Sequence, residues 1–444
     1  MISRLRRAVA GGAGEKRGFA NIVRNTGWLL GSKGLGAVLS LVYLAIATRT
    51  MGPAGFGVFS LVIAIAQFIA RIVTFDSWQA VVKFGQVPLR DEEKPSLARL
   101  VGATLTIDVL SAVAGILLAA AIALLLGPVL GWNRQVAWMG LGYASVVLLA
   151  TRSTAVGILR LLDRFAAAAF AESMMPITRM AGALLALWFN PTPLGFLMAW
   201  ACSEVVVSTT YWILAFRYGR RHIGAVKPVG IGEARRHFPG ILNFSVASNI
   251  NLSLLALINN VPIFLVGMFA GTTGAGYYRL AAQLGNAMTT FSQLMSRAIF
   301  AESTRHHMRG GKEGDMTALR KLSRQISAAA ALSAVLIILM LWLVGEWVLV
   351  KMSGTAYLPA YPLLLLLAGA AAIEMAGVSF DPILMTIDRQ RLTVMVRLVE
   401  CAILGALLVV LLPRMGAQGA ALAVLVASVG GFVMRAAAVR RHLR

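Results

Sequence analysis

LVGATLTIDVLSAVAGILLAAAIALLL, residues 100–126, determines the class of fold. The only charged side chain in this stretch is Asp108. A helix rises about 1.5 Å per residue, so about 20 apolar residues cross a hydrocarbon core that is about 30 Å thick. The stretch is therefore long enough and apolar enough to form a transmembrane helix.

Comparable stretches follow one another along the whole chain of 444 residues. Hydrophobic residues make up 58% and charged residues 13% of the chain, whereas soluble proteins carry about 25% charged residues. The mean hydropathy is +0.77. The sequence therefore predicts an all-α, polytopic membrane protein with about 12 transmembrane helices: 26–48, 55–82, 100–126, 136–159, 165–189, 193–216, 238–268, 274–300, 323–345, 358–380, 392–412 and 416–438.

The basic residues predict the orientation of these helices. Of the 41 Lys and Arg residues, 33 lie on the side of the membrane that carries both termini. The opposite loops hold only Arg49, Arg134, Lys351 and Arg414. By the positive-inside rule, both termini are cytoplasmic in a bacterial inner membrane. The net charge of +23 then reflects topology, so we expect no nucleic-acid partner. The basic start lacks the apolar core and cleavage site of a signal peptide.

The longest cytoplasmic loop, rich in Pro, Gly and charge, divides the chain into two groups of six helices. The predicted regions are a basic tail (1–25), an N-terminal six-helix bundle (26–216), a linker (217–237), a C-terminal six-helix bundle (238–438) and a second basic tail (439–444). One constant shift along the sequence, which we call the repeat register, aligns Gly52, Gly55 and Gly57 with Gly271, Gly274 and Gly276. The repeat register predicts a parallel repeat, in which the substrate path lies between the two bundles.

Polar residues on helices 274–300 and 55–82 predict a binding surface. On helix 274–300, six polar side chains recur every three or four residues and therefore share one face: Arg279, Gln283, Asn286, Thr290, Gln293 and Arg297. The repeat register places Gln67, Arg71 and Thr74 on the matching face of helix 55–82. Lys33, Asn249 and Asn259 add polar positions on helices 26–48 and 238–268. A polar face cannot meet lipid, so we predict that these faces line one wet cavity.

The alternative is that the uncharged members of this set only join helices to one another. The charged members separate the two interpretations, because Lys33 and Arg71 lie too deep to reach bulk water easily. A cationic cavity with Lys33, Arg71, Arg279 and Arg297 attracts anions, of which phosphate and diphosphate are the usual ones.

Other functional features of the chain are few. Asp108 and Glu204 are intramembrane carboxylates and candidates for ion coupling, with structural pairing as the alternative. Arg397 and Glu400 are spaced for a local ion pair. No phosphate-binding loop of the Gly-x-x-x-x-Gly-Lys-Ser/Thr type occurs, so we expect no ATP hydrolysis. We predict no catalytic residue, no metal site and no cofactor.

Three motifs resemble those of a known family. Arg49-Thr-Met-Gly-Pro-Ala-Gly-Phe-Gly-Val-Phe-Ser60, Gly271-Thr-Thr-Gly-Ala-Gly-Tyr-Tyr278 and Arg160-Leu-Leu-Asp-Arg-Phe165 are similar to segments of Wzx-type polysaccharide (O-antigen) flippases. These belong to the multidrug/oligosaccharidyl-lipid/polysaccharide (MOP) exporter superfamily. The resemblance implies a V-shaped pair of six-helix bundles that opens alternately to each side of the membrane.

The resemblance also implies a function. Proteins of this family move undecaprenyl-diphosphate-linked oligosaccharides from the cytoplasmic to the periplasmic leaflet for lipopolysaccharide or exopolysaccharide biosynthesis. The partners would be the lipid-linked oligosaccharide, membrane lipids, and the polysaccharide polymerase and chain-length machinery. Three alternatives stay open, one of which is a non-transporting scaffold. A proton- or sodium-coupled multidrug antiporter is disfavoured because helices 26–48 and 238–268 contain no carboxylate. A membrane-embedded glycan-assembly enzyme is disfavoured by the short outer loops.

Overall fold

The computed structural model describes residues 2–75, 77–126, 134–309, 316–386 and 390–442 of the chain. Side chains in these ranges are described except at 2–35, 126, 247–248, 250–252, 254–255, 286–309, 316–326, 329, 385–386 and 390. Every regular element of the described residues is helical. The chain is therefore all-α, as the sequence predicted.

The N-terminal half contains seven α-helices. Their bounds are α1 Ile2–Val73, α2 Ser77–Arg90, α3 Lys94–Ala121, α4 Arg134–Leu149, α5 Ser153–Leu161, α6 Phe165–Phe189 and α7 Pro193–Gly219. A π-helical turn, Ile122–Leu126, extends α3. Helix α7 begins where the Thr192 side chain accepts a hydrogen bond from the Gly195 N–H and Pro193 supplies a preset φ.

The C-terminal half contains six α-helices and one 3-10 helix. Their bounds are α8 Ile231–His237, α9 Ile241–Arg309, α10 Met316–Ser353, the 3-10 helix Thr355–Ala360, α11 Tyr361–Ala376, α12 Phe380–Thr386 and α13 Gln390–His442. Helix α8 lies within the predicted linker. The linker packs on α3, where a side chain at Gly102 would overlap the carbonyl oxygen of Lys227.

A glycine interrupts each of the three longest helices. Gly52 in α1 (φ 64°, ψ 177°) and Gly271 in α9 (φ 70°, ψ −177°) share one backbone conformation, which only glycine adopts without strain. Gly416 interrupts α13. Tyr43 and Phe59, on opposite sides of the kink in α1, both pack edge-on against Trp200. The chain therefore folds back at Gly52, at the position of the predicted turn.

The two halves cross closely next to these kinks. A side chain at Gly57 would overlap the carbonyl oxygen of Thr272, and one at Gly276 would overlap that of Pro53. The two contacts are equivalent under the repeat register. We call this end of the molecule, which carries the kinks at Gly52, Gly271 and Gly416, the glycine-turn end.

Hydrogen bonds also join the halves at the glycine-turn end. The Arg49 guanidinium donates to the carbonyl oxygens of Met352, at 3.0 Å, and Lys351. The Tyr357 hydroxyl donates to the carbonyl oxygen of Thr48 at 3.3 Å. Thr48 is fully buried. The glycine-turn end is therefore closed in this conformation.

Two of the predicted transmembrane helices are broken near the opposite end. Helix 55–82 is interrupted between α1 and α2, and helix 136–159 is interrupted between α4 and α5. The buried Asp108 carboxylate accepts hydrogen bonds from the Ser77 hydroxyl at 2.5 Å and from the Thr154 hydroxyl and N–H at 2.7 and 3.2 Å. Because Asp108 binds the first turns of α2 and α5, both breaks lie inside protein and not in lipid, where they would be costly.

Eight helices within the described residues are long and apolar enough to cross a membrane. Two of them, Gly36–Arg90 and Arg391–His442, contain 55 and 52 residues. At about 1.5 Å per residue, each is more than about two and a half times as long as the hydrocarbon core is thick. The chain is a multi-pass membrane protein, while the number of about 12 crossings and the duplication of whole bundles stay predictions.

Candidate functional site

Part of the predicted polar surface lies outside the described side chains. This holds for Lys33, Asn286, Thr290, Gln293 and Arg297. The remaining predicted positions are described, namely Gln67, Arg71, Thr74, Asn249, Asn259, Arg279, Gln283, Asp108 and Glu204. The described positions occupy four separate places in the fold.

The first place is a group of arginines and tyrosines in the N-terminal half, which Arg279 reaches from α9. Arg279 lies close enough to Arg179 of α6, Tyr143 of α4 and Tyr43 of α1 to interact with them electrostatically. Arg179 also stacks over the Trp200 ring, with 5.5 Å between the guanidinium carbon and the ring centroid. Arg179 and Arg279, two guanidiniums of like charge that come from different halves, thus lie within range of mutual electrostatic interaction. We call Tyr43, Tyr143, Arg179 and Arg279 the arginine cluster.

One carboxylate forms ion pairs with arginines at the arginine cluster. Glu204 of α7 accepts hydrogen bonds from Arg152 at 2.8 Å and from Arg179 at 3.0 Å. The side chains of Glu204 and Arg179 are 12% and 17% exposed, so both charges are largely withdrawn from solvent. The Arg179 Nε has no hydrogen-bond partner in the described structure. Among the described side chains, Arg279 forms no ion pair. Arg152 and Arg179 therefore share one carboxylate and Arg279 has none, which leaves an excess of positive charge.

The second place is the end of α1. Arg71 is exposed and forms no ion pair with any described side chain. The Asn249 amide of α9 donates to the carbonyl oxygens of Thr74 at 2.8 Å and Ile72 at 3.3 Å. Asn249 thus holds the last carbonyl groups of α1 and joins the two halves there. Gln67 lies one turn before Arg71 and is partly buried.

The third place is a cavity of about 100 Å³ inside the C-terminal half, between α9, α11 and α13. Asn259, Glu374 and Glu400 contribute its polar groups. Glu400 is 1% exposed, and its nearest basic partner is Arg435 of α13, at 3.8 Å. Arg397 lies 3.5 Å from Asp381. The expected local ion pair of Arg397 and Glu400 is therefore wrong. Arg397 instead contacts Asp381 of α12, and Glu400 contacts Arg435 of α13.

The fourth place is the helix junction at Asp108, which is 3% exposed and accepts the hydrogen bonds described above. Asp108 and Glu204 therefore both have close partners. Their predicted role in ion coupling stays a prediction. No group of three or more His, Cys, Asp or Glu side chains within the described residues has a metal-binding arrangement.

Arg179, Tyr43 and Tyr143 were not among the predicted site residues. The only carboxylate on α6 itself is Glu172, two turns before Arg179, whereas the partners of Arg179 lie on α1, α4, α7 and α9. One signal was present in the sequence, since Arg179 is one of the four basic residues, with Lys33, Arg71 and Arg279, that the predicted topology assigns to neither side of the membrane.

The sequence of this chain matches a family model and is similar to that of a bacterial membrane protein. A family model described as "Polysaccharide biosynthesis protein" matches residues 22–300. The Inner membrane protein YghQ of Escherichia coli (strain K12) is 29% identical over 354 residues, which cover 78% of this chain and 96% of that protein.

Two solved structures share the fold. An inward-facing multidrug resistance MATE family transporter of the MOP superfamily superposes with a TM-score of 0.72 at 14% identity, covering 91% of this chain and 95% of that one. The lipid II flippase MurJ, in an inward closed conformation, superposes with a TM-score of 0.72 at 12% identity, covering 93% and 87%. At such identities the likeness concerns the fold.

Proposed function

Because the chain belongs to the polysaccharide biosynthesis protein family, we propose that it is a flippase for lipid-linked oligosaccharides. It carries undecaprenyl-diphosphate-linked units from the cytoplasmic to the periplasmic leaflet, where surface polysaccharide is assembled. Both termini are cytoplasmic in this proposal, as the distribution of basic residues predicts.

The observation that carries the proposal is the excess of positive charge in the arginine cluster. A buried charge is costly unless a group of opposite charge compensates it. In the described structure, Glu204 already serves Arg152 and Arg179, and Arg279 has no carboxylate partner. A diphosphate supplies two adjacent negative groups, and guanidinium forks bind such oxygens through paired hydrogen bonds. The cluster therefore favours an anionic headgroup over a cationic drug.

The other predicted residues extend this site. Lys33, Arg71 and Arg297 add positive charge along the path, and the glycan is bound by Gln67, Gln283, Asn286, Thr290 and Gln293. The lipid tail stays in the bilayer. Transport proceeds by alternating access, in which the two halves move about the linker 217–237. This cycle requires the glycine-turn end, which is closed in the conformation described here, to open.

A second candidate function is ion-coupled multidrug antiport. The cavity of the C-terminal half favours it, since Glu374 and Glu400 are carboxylates of the kind that bind a cation or a proton. In a flippase the same carboxylates, or the predicted Asp108 and Glu204, would couple transport to an ion. Both functions can use carboxylates. They are therefore distinguished by whether the arginines bind the transported substrate.

The test uses a host strain from which the gene has been deleted. The strain is complemented with wild-type protein, with Arg279→Gln, or with the double variant Lys33→Glu, Arg71→Glu. We expect wild-type protein to restore surface polysaccharide, and each variant to reduce it at least about tenfold without changing drug susceptibility. Surface polysaccharide is measured by gel, and membrane levels of each protein by immunoblot.

The matched control is Arg414→Gln, which removes an exposed arginine from α13. It should export normally. Normal polysaccharide with both variants, combined with increased drug susceptibility, would replace the flippase assignment with antiport.

A further inference from the structure

A second feature of the N-terminal half lies beside the arginine cluster. A groove of about 570 Å³ runs between α4 and α7. Trp138 and Met139 of α4 and Leu197 and Met198 of α7 form its walls. Trp138 and Met198 are 56% and 50% exposed on the surface of the protein, so the groove opens sideways toward the surrounding lipid. Its size lies within the range of about 300–1,000 Å³ for small-molecule sites.

The groove has a defined direction. It begins near Gln135 and Leu194, at the starts of α4 and α7. This is the glycine-turn end, since a side chain at Gly55 would touch Pro193 at 3.5 Å. Its deeper part is lined by Tyr143 and Ala201.

Charged groups follow directly beyond this deeper part. Glu204 lies one helical turn after Ala201 on α7 and is paired with Arg179. Tyr143 interacts electrostatically with Arg179, Glu204 and Arg279. One wall residue thus belongs both to the apolar groove and to the arginine cluster.

We propose that this groove holds the hydrocarbon chain of a prenyl diphosphate while the arginine cluster holds its diphosphate. This inference rests on the proposed function and adds the path of the tail. An apolar chain that fills the groove gains van der Waals contacts with its walls, and two guanidiniums match two phosphate groups better than the single phosphate of an ordinary phospholipid. The tail therefore leaves the protein between α4 and α7, in the half of the bilayer next to the glycine-turn end.

Gly142 allows a direct test, because it lines the groove and a side chain at this position would meet no atom within 4 Å. Gly142→Phe fills the groove without a backbone clash. Gly405→Phe on α13 is the matched control, since Gly405 is exposed and its added Cβ also meets nothing. Met198→Trp fills the groove from the opposite wall and serves as an independent second variant.

The experiment measures binding of undecaprenyl diphosphate and of isopentenyl diphosphate, which has the same headgroup and a five-carbon chain, to the purified full-length protein. We expect Gly142→Phe and Met198→Trp to weaken binding of undecaprenyl diphosphate at least about tenfold and to leave isopentenyl diphosphate unaffected. Gly405→Phe should change neither. Retained binding of the short diphosphate shows that the variants are folded.

Two results would overturn the groove assignment and leave the proposed function intact. One is wild-type affinity of both groove variants for undecaprenyl diphosphate. The other is displacement of undecaprenyl diphosphate by phosphatidylglycerol at equal concentration, which would make the groove a phospholipid site. If wild-type protein binds neither diphosphate, the proposed function fails together with the inference.

Discussion

Asp108 shows how one buried carboxylate stabilises two interruptions of transmembrane helices. Its oxygens accept three hydrogen bonds from the first turns of α2 and α5. We expect Asp108→Ala to lower the free energy of unfolding by about 1–3 kcal/mol, because buried donors lose their acceptor. Asp108→Asn keeps one oxygen as an acceptor and should lose less. The melting temperature of the purified protein in detergent measures both effects.

Asp91→Ala is the control, since Asp91 is exposed and binds only the neighbouring Arg90. Equal melting temperatures for Asp108→Ala and Asp91→Ala would show that the junction does not depend on Asp108. Polysaccharide export by the Asp108→Asn variant tests the predicted role of Asp108 in ion coupling. A stable variant that no longer exports would assign Asp108 to ion coupling.

Between helices, the crossing of α1 and α9 depends on two glycines. Gly57→Ala places a methyl group on the carbonyl oxygen of Thr272, so the two backbones must separate. Overpacking of this kind costs about 1–3 kcal/mol. We expect a melting temperature several degrees lower than that of Gly405→Ala, where the added methyl group meets no atom within 4 Å. Identical melting temperatures would mean that the halves do not cross at Gly57.

The kinks of these helices were more predictable from the sequence than their breaks. Gly52 and Gly271 were predictable because their backbone conformation requires glycine, and the repeat register marks both positions. The breaks before Ser77 and Ser153 were not predictable, because neither 70–80 nor 145–156 contains the Pro or Gly that commonly marks the end of a helix. The donors released there are satisfied by Asp108, which lies on another helix and is distant in sequence.

For the molecule as a whole, closure of the glycine-turn end is the feature that transport must reverse. Arg49 joins α1 to the end of α10 through two carbonyl oxygens. We expect Arg49→Ala to increase the fraction of molecules that are open at this end. A cysteine in place of the fully buried Thr48 reports this opening in a protein that lacks Cys202 and Cys401.

Labelling of this cysteine by a membrane-impermeant maleimide should be roughly tenfold faster with Arg49→Ala, which corresponds to about 1.4 kcal/mol. Arg414→Ala serves as the control and should leave the rate unchanged. Equal rates in both variants would show that Arg49 does not hold the glycine-turn end closed.

The composition of the binding site was the least predictable property. Regular spacing placed Arg279 and Gln283 on one face of α9, since that face depends only on helical periodicity. The partners of Arg279 come from α1, α4 and α6, whose packing the sequence does not encode locally. Arg179 is therefore recognisable from the sequence only as a basic residue within a predicted helix.

We infer that positive charge within the membrane binds the diphosphate of a lipid carrier during its transfer between leaflets. The rate at which a fluorescent undecaprenyl-diphosphate-linked saccharide crosses the bilayer of vesicles that contain the purified protein measures this transfer. We expect transfer with wild-type protein and with Arg414→Gln, and a rate at least about tenfold lower with Arg279→Gln and with Arg179→Gln. Transfer at the wild-type rate by both cluster variants would contradict this role of the arginines.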